Sequence, residues 1–345
     1  MILKKKKRKI NGQVVFKYKN SSLYKVDEKT YVFDYLSGDV LGPILKKKKW
    51  FLDSFGSENF IHCFNKSLAY INFSPDVFFT QNIFSVNFLK GLGRQCVFDA
   101  WDNFLLFPEN KVIEQDLKSS YQEFAHNGSV WVTNSKKNLA YYDKFYKPQK
   151  CYLVKNGVDV EVFNQKYTVP EHLNKLPRPL IGFGGKITHL FDYDLFNYVV
   201  SKHPDKSFVI LGQVIDKQVF SKIKQAPNVF YLGDIHYSLY PSYVTNFDLG
   251  IVPYVTNQLE HGADSIKVYE YIAAGLGVVG TQGAGMNEMS KYIYVADNKN
   301  SFSNFINEAL TNRKKECLDH FHTWASKTES IINIFDSVIK GTKIV

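Results

Sequence analysis

The sequence has few cysteines and no motif that would pair them. Its four cysteines lie far apart among 345 residues: Cys63, Cys96, Cys151 and Cys317. This spacing, with no CxxC motif, indicates reduced thiols of a cytoplasmic protein and argues against a disulfide framework. His320 and His322 lie near Cys317, but no second pair of ligands accompanies them, so the sequence predicts no zinc site.

Long apolar runs are also missing. Nowhere do about 18 apolar residues follow one another, so no membrane-spanning helix is predicted. The basic N-terminus is not followed by an apolar run, which argues against a signal peptide. No short-period repeat occurs, which excludes a solenoid. With 45% hydrophobic and 22% charged residues the composition is that of a globular protein, and 345 residues predict two domains.

Positive charge is in excess, with a formal net charge of +10. Much of it lies in two runs, Lys4–Lys9 and Lys46–Lys49. Either these runs are solvated loop faces, or they meet an anionic partner. An anionic membrane surface is the favoured partner, since each nearby lysine or arginine contributes about 1 kcal/mol there. Nucleic acid is not the expected partner, because no RNA-recognition, zinc-finger or helix-turn-helix pattern is present.

The chain divides into a β-rich start and two α/β series. Residues 14–33 alternate in short apolar stretches that predict a β-hairpin or meander. Short strands then alternate with helices as far as Leu153, which indicates a parallel sheet. The polar, proline-containing stretch from Asn164 to Pro179 is predicted to link the domains. We therefore expect domains at 1–165 and 178–315, with C-terminal helices at 316–345 that cross back to the first domain.

The second series has the cleaner pattern, because its predicted strands end in glycines. The glycines are Gly184, Gly212, Gly233 and Gly280. Open, doubly wound α/β sheets bind ligands at the carboxyl ends of their strands. Gly184-Gly185-Lys186 suits a phosphate there, although many such turns are glycine-rich for packing alone. The segment is not a P-loop, since GxxxxGK[ST] is not matched.

A predicted helix places Lys267 and Glu270 on one face, three residues apart. A lysine there would neutralise a diphosphate, and a carboxylate would accept hydrogen bonds from ribose hydroxyls. On spacing alone, an ordinary surface ion pair is the better explanation of the two residues.

The segment from Lys267 to Val279, KVYEYIAAGLGVV, resembles the donor-site signature K-x-x-E-Y-x-A-x-G-x-P-V-V of GT-B glycosyltransferases. The stretch from Phe247 to Pro253 is similar to the family's run ahead of that helix. Asn156-Gly157-Val158-Asp159 resembles the N-G-V-D exit from the family's N-terminal domain, and Pro75-Asp76-Val77 its P-D-V. The order and spacing of these motifs agree with those of the family over roughly residues 75–310.

The resemblance implies the GT-B fold, in which two Rossmann-like domains face a cleft. A nucleotide sugar would bind mainly to the C-terminal domain and the acceptor to the N-terminal one. The resemblance places Glu270 against the ribose. Lys267 and Lys186, together with Gly184 and Gly185, would contact the diphosphate. The resemblance also implies that the turn at Gly233, Asp234 and Ile235 contacts the base. Ser265 and Ile266, at a helix N-terminus, would donate backbone N–H groups to phosphate oxygens.

The sequence departs from the family at a position that matters for stereochemistry. Many retaining members carry a second glutamate eight residues before the one at Glu270, and here that position is Gly262. An inverting reaction is therefore slightly favoured, which needs a general base in the N-terminal domain. Asp99 and Asp102, after a predicted strand, are the candidates, although Asp99 could equally cap the next turn. His126 is a weaker candidate.

No metal cofactor is expected. Asp192-Tyr193-Asp194 has the letters of a metal-binding DxD motif, but it begins a predicted helix, where acidic residues are favoured anyway. Lysines and helix N-termini would stabilise the leaving nucleoside diphosphate instead.

The sequence thus predicts a glycosyltransferase that acts on a hydroxyl of a glycan or lipid-linked glycan. Its expected location is the cytoplasm, at the inner face of the plasma membrane. A sugar-nucleotide epimerase of the same fold remains an alternative. So does a non-catalytic scaffold or nucleic-acid-binding protein that uses the lysine runs.

Overall fold

The computed structural model describes residues 10–93, 96–256, 264–314, 318 and 322–341. The predictions made on Lys4–Lys9, Gly262, Cys317 and His320 lie outside these residues. Within the described part of the chain, no helix is both long and apolar enough to cross a membrane.

The chain begins with an antiparallel meander of β1 (Gln13–Tyr18), β2 (Ser21–Lys25) and β3 (Tyr31–Tyr35), as the alternating pattern predicts. The next helices are α1 (Gly42–Leu45), α2 (Lys49–Phe55) and α3 (Glu58–Tyr70). Ser57 begins α3 by accepting the Phe60 N–H. Phe33 of β3 packs edge-on against Phe60 and Phe64, with ring centroids 5.8 and 5.4 Å away. An aromatic contact layer thus joins the meander to α3.

Four parallel strands form the N-terminal sheet, in the order β4-β5-β6-β7. They are β4 (Phe78–Thr80), β5 (Cys96–Asp99), β6 (Val130–Thr133) and β7 (Lys150–Leu153). The helices between them are α4 (Val86–Leu92), α5 (Glu114–His126) and α6 (Lys136–Phe145). Strands β5 and β6 are buried throughout, which explains their unbroken apolar sequences. Phe98, Phe124 and Trp131 form the centre of the core on the helical side.

The segment predicted as a linker contains two short helices, α7 (Val160–Phe163) and α8 (Glu171–Asn174). Leu173 of α8 is fully buried against the C-terminal domain. Part of the connection therefore packs against the C-terminal domain, which its composition did not indicate.

The C-terminal sheet has six parallel strands in the order β10-β9-β8-β11-β12-β13. The order reverses between β8 and β11, the switch point at which such sheets bind ligands. The strands are β8 (Leu180–Gly184), β9 (Ser207–Leu211), β10 (Val229–Tyr231), β11 (Leu249–Val252), β12 (Gly277–Thr281) and β13 (Tyr294–Ala296). The helices are α9 (Tyr193–Lys202), α10 (Lys217–Ser221), α11 (Tyr240–Val244), α12 (Ile266–Ala273) and α13 (Lys299–Thr311).

The last helix, α14 (Trp324–Lys340), packs on the N-terminal sheet. Its Ile334 lies in one apolar cluster with Val97, Val132 and Val154, on the face opposite α5. The C-terminal end of the chain therefore completes the core of the first domain.

The two domains meet at Asn156 and Gly157, directly after β7. The Asn156 N–H donates to Asp264 Oδ2 at 2.6 Å, and its side-chain amide donates to the Asp264 carbonyl at 2.9 Å. The next residues pair with the start of α14, since Val158 bridges to Thr323. A Cβ on Gly157 would lie 2.3 Å from the Thr323 carbonyl carbon, so only glycine fits this crossing.

Gly157→Ala should therefore lower the free energy of unfolding by about 1–3 kcal/mol, since the obstructing atoms are backbone and cannot turn aside. Gly38→Ala is the matched control, because its Cβ would meet only the Asn20 side chain at an ordinary 3.6 Å. Urea unfolding of both variants measures the difference. Equal stability of Gly157→Ala and wild type would contradict the tight crossing.

Candidate active site

A cleft of about 860 Å³ separates the two domains. The carboxyl ends of both parallel sheets open onto it, which is where α/β sheets place ligands. Its N-terminal wall includes Gln81, Asp99, Trp101, Asp102 and Asn134. Its C-terminal wall includes Tyr254, Asp264, Ser265, Ile266, Lys267, Gln282, Gly283 and Ala284. Helix α14 contributes Trp324, Lys327, Thr328, Ile331, Ile332 and Phe335.

The N-terminus of α12 points into this cleft. Ser265 is its N-cap, and the Ser265 side chain caps no backbone N–H of the helix. The Ser265 Oγ is buried without a hydrogen-bond partner among the described residues. Ile266 and Lys267 follow on the same wall. The first turn therefore presents N–H groups and the positive end of the helix dipole to an anion.

The Lys267 side chain lies against the turn after β8 and lines the cleft. Its Nζ donates to the Tyr254 hydroxyl at 2.6 Å and lies 5.8 Å from the centre of the Phe183 ring. A Cβ on Gly185 would come within 2.0 Å of Lys267 Cε, so a larger residue there would force the lysine side chain to move. Lys186 is exposed beside this contact.

The neighbouring Gly184 serves packing instead. A Cβ on Gly184 would lie 2.2 Å from the Tyr240 hydroxyl, and its N–H donates to the Tyr271 hydroxyl at 2.7 Å. Gly184 is buried beneath these tyrosines and does not line the cleft.

Glu270 lies one turn into α12 and is buried. The Tyr237 hydroxyl donates to its Oε1 at 3.2 Å. Burial raises the pKa of Glu270 to about 7, although the hydrogen bond from Tyr237 and the charge of Lys267 oppose that rise. Glu270 does not line the cleft in this structure, because Tyr237 and Tyr240 pack against its carboxyl.

The turn predicted to meet a nucleotide base follows β10. Gly233 has a φ of +81°, Asp234 is exposed, and Ile235 packs against the domain core. Tyr237 is two residues further on, so its hydrogen bond connects this turn to Glu270. The structure thus brings the predicted base and ribose positions together.

Asp99 and Asp102 lie on the opposite wall. Asp99 is buried at the end of β5, where Gln81 donates to its Oδ2 at 3.0 Å, and its Oδ1 has no partner among the described residues. Burial raises the pKa of Asp99, against the lowering effects of Lys327 and Gln81. Asp102 is half-buried, and burial raises its pKa to about 7. A carboxyl with a pKa near neutrality suits a general base.

The Asp102 loop is fixed by two buried tyrosines of the core. The Tyr142 and Tyr121 hydroxyls donate to the Asp102 carbonyl oxygen at 3.1 and 3.3 Å. The Tyr121 hydroxyl also accepts the Phe104 N–H at 3.1 Å. The Asp102 side chain is therefore presented to the cleft by a braced backbone.

Sequence reasoning missed several cleft residues. Gln282, Gly283 and Ala284 follow β12 at the same sheet edge as the Gly185 turn, and the glycine after a strand was a signal that could have identified them. Asn134 has a buried Oδ1 without a partner among the described residues. Lys327 of α14 donates to the Asn156 Oδ1 at 3.0 Å. No local pattern indicated Lys327, since its partner lies 171 residues away.

Of the two acidic residues in Asp192-Tyr193-Asp194, Asp192 has a structural role. Asp192 caps that helix by accepting the Leu195 N–H at 2.8 Å. Over the residues with described positions, no group of three or more His, Cys, Asp or Glu side chains is placed to hold a metal ion.

Comparison with known proteins finds a relative for part of the sequence. No protein-family model matches the chain. A Bacillus subtilis (strain 168) protein named a teichuronic acid biosynthesis glycosyltransferase, TuaH, is 29% identical over 151 residues. That match covers 42% of this chain and 38% of TuaH, so the chain aligns with well under half of that relative.

Two solved structures resemble most of the chain. The α,α-trehalose 6-phosphate synthase from Burkholderia multivorans superposes with a TM-score of 0.66 at 12% identity, covering 86% of this chain and 78% of its own. Anabaena HepE in complex with UDP and glucose gives a TM-score of 0.64 at 13% identity, covering 88% and 84%. The chain therefore has the GT-B fold that its C-terminal motifs implied.

Gly185→Ala tests the anion site. The added methyl must displace Lys267, so we expect binding of a nucleoside diphosphate to weaken by about tenfold or more, the loss of one charge-assisted hydrogen bond. Calorimetric titration measures the affinity, with Gly38→Ala as the control. Unchanged affinity in Gly185→Ala would remove Lys267 from the anion site.

Proposed function

We propose, on the premise of the GT-B fold, that this protein is a glycosyltransferase. It moves a sugar from a nucleoside-diphosphate sugar to a hydroxyl of a glycan or lipid-linked glycan. The observation that carries the proposal is the cleft itself, where the α12 N-terminus and Lys267 face Asp99 and Asp102. An anion site opposite a carboxylate base is what transfer from a diphosphate donor to a hydroxyl requires. The name of TuaH and the UDP and glucose in the HepE complex support the same reaction.

On the donor side, Lys267 and Lys186 neutralise the diphosphate. The N–H groups at Ser265 and Ile266 hold its oxygens, as helix N-termini do for phosphates. Glu270 accepts hydrogen bonds from the ribose hydroxyls after the Tyr237 hydroxyl has moved away from its carboxylate. The turn at Gly233, Asp234 and Ile235 then lies against the base.

On the acceptor side, Asp102 is the general base. It takes the proton as the acceptor oxygen attacks the anomeric carbon, and the nucleoside diphosphate leaves with the bonding electrons. Attack from the wall opposite the diphosphate inverts the anomeric configuration. Asp102 is preferred to Asp99 because it is half-exposed and has a pKa near 7, whereas Gln81 already binds Asp99. Positive charge from lysines at the leaving group lets the reaction proceed without a metal ion.

The reaction takes place in the cytoplasm, at the inner face of the plasma membrane. The positive charge of the chain, +10 overall, favours an anionic leaflet as the surface at which the acceptor is met.

Asp102→Asn should lower kcat by about 10²–10⁴-fold and leave donor affinity unchanged, because a general base contributes to the chemical step and does not touch the diphosphate. In wild type, kcat should rise with pH through about 7, since only the carboxylate form of Asp102 accepts the proton. Steady-state kinetics over a pH series checks both. If Asp102→Asn keeps wild-type kcat while Asp99→Asn loses it, the base is Asp99 and the assignment is wrong.

Glu270→Gln should weaken donor binding by about tenfold, because a neutral amide accepts hydroxyl hydrogen bonds less strongly than a carboxylate. Wild-type donor affinity should also increase as the pH rises through about 7, where Glu270 ionises. Titration of the donor into each protein at several pH values measures this. Wild-type affinity and pH dependence in Glu270→Gln would exclude the ribose role.

A further inference from the structure

A short apolar surface projects from α1 and the residue pair before it. Val40, Leu41, Ile44 and Leu45 have 70%, 64%, 66% and 75% of their surface exposed. Single exposed apolar residues are ordinary, but a contiguous group in six residues of chain marks an interaction site. We call these four residues the α1 ridge.

The α1 ridge is held in place by its polar neighbours. Asp39 Oδ1 accepts the Gly42 N–H at 2.7 Å, and its Oδ2 accepts the Trp50 indole N–H at 2.9 Å. One carboxylate therefore ties the start of α1 to the start of α2. The ridge is thus braced from both helices.

Lys46–Lys49 come directly after the ridge. Lys46 pairs with Asp53 at 2.6 Å and Lys49 with Asp116 at 3.1 Å, while Lys48 donates to the neutral Asn110. The acidic partners offset part of the positive charge, so the lysines alone bind an anionic surface more weakly than their sequence suggests. The exposed apolar side chains must supply most of any binding energy, with the lysines selecting an anionic surface.

This combination fits a lipid bilayer better than a protein partner. A four-residue helix offers too little length for helix packing, whereas apolar side chains beside lysines and a tryptophan match the boundary between acyl chains and headgroups.

An aromatic path runs from α2, the helix that follows the ridge, toward the cleft. The Phe51 ring of α2 lies 5.9 Å from that of Phe84. Phe84 lines a groove of about 500 Å³ together with Phe79, Trp101 and Phe104, and the polar Thr80, Gln81 and Asn82 complete its lining. Phe79 and Trp101 also line the cleft that contains Asp102. An apolar chain lying in this groove would reach the cleft wall that includes Asp102.

We propose that the α1 ridge inserts into the headgroup region of an anionic leaflet, and that the Phe84 groove guides the lipid part of a lipid-linked acceptor to Asp102. The groove's role rests on the proposed glycosyltransferase function. Membrane binding by the ridge does not depend on it.

The first test is sedimentation with vesicles of phosphatidylcholine, with and without phosphatidylglycerol. Ile44→Asp/Leu45→Asp should lower vesicle affinity by about tenfold or more, since two apolar side chains no longer leave water. Lys46→Gln/Lys47→Gln should lower affinity by about five-fold in total, only on the anionic vesicles, because Asp53 already offsets the charge of Lys46. The matched control is Ile215→Asp/Ile339→Asp, at side chains exposed by 54% and 51% elsewhere. Wild-type binding by the ridge variant, or an equal loss in the control, overturns the proposal.

The second test uses turnover. The ridge variant should lose activity toward a lipid-linked acceptor in vesicles and keep it toward a short soluble glycan, because the cleft is untouched. Equal turnover of the lipid-linked acceptor by ridge variant and wild type overturns the proposed route. If wild type transfers no sugar to either acceptor, the glycosyltransferase proposal fails, and the vesicle test still decides whether the ridge binds membranes.

Discussion

The hydrogen bonds between Asn156 and Asp264 are the constraint on which the cleft depends. Asp264 is buried, and both of its oxygens are used. Oδ2 accepts the Asn156 N–H, and Oδ1 accepts the Tyr269 hydroxyl with Lys155 3.6 Å away. Burial raises the pKa of Asp264 although these partners favour its ionised form. Removing one partner of such a buried charge costs about 3–5 kcal/mol. Because Ser265 follows directly, the same contact positions the α12 N-terminus against the N-terminal domain.

Helix α14 joins the same junction from the other side. Its start pairs with Val158, its Lys327 reaches Asn156, and its Ile334 completes the core of the N-terminal sheet. Lys327 also lowers the pKa of Asp99. One junction therefore connects the cleft wall that carries the α12 N-terminus, the wall that carries Asp99 and Asp102, and helix α14. The separation between the two walls follows from that junction.

Local chemistry made part of this predictable from the sequence. Glycines after strands indicated the edge of the C-terminal sheet that opens onto the cleft, and Ser135 and Asp192 cap the helices they precede. Contacts distant in the chain were not predictable. Gly184 belongs under Tyr240, Glu270 lies behind Tyr237, and Asp264 meets a residue 108 positions away. Hydrophobic periodicity describes which face of an element is buried, but not which element covers it.

The central claim is that the C-terminal wall of the cleft binds a nucleoside diphosphate. Calorimetric titration of wild-type protein with UDP, GDP, CDP and TDP, in buffer containing a chelator, tests it most directly. One saturable site per chain is expected for at least one of these nucleotides, with the affinity kept when metal ions are removed. Absence of binding for all four, with the protein folded, would contradict it.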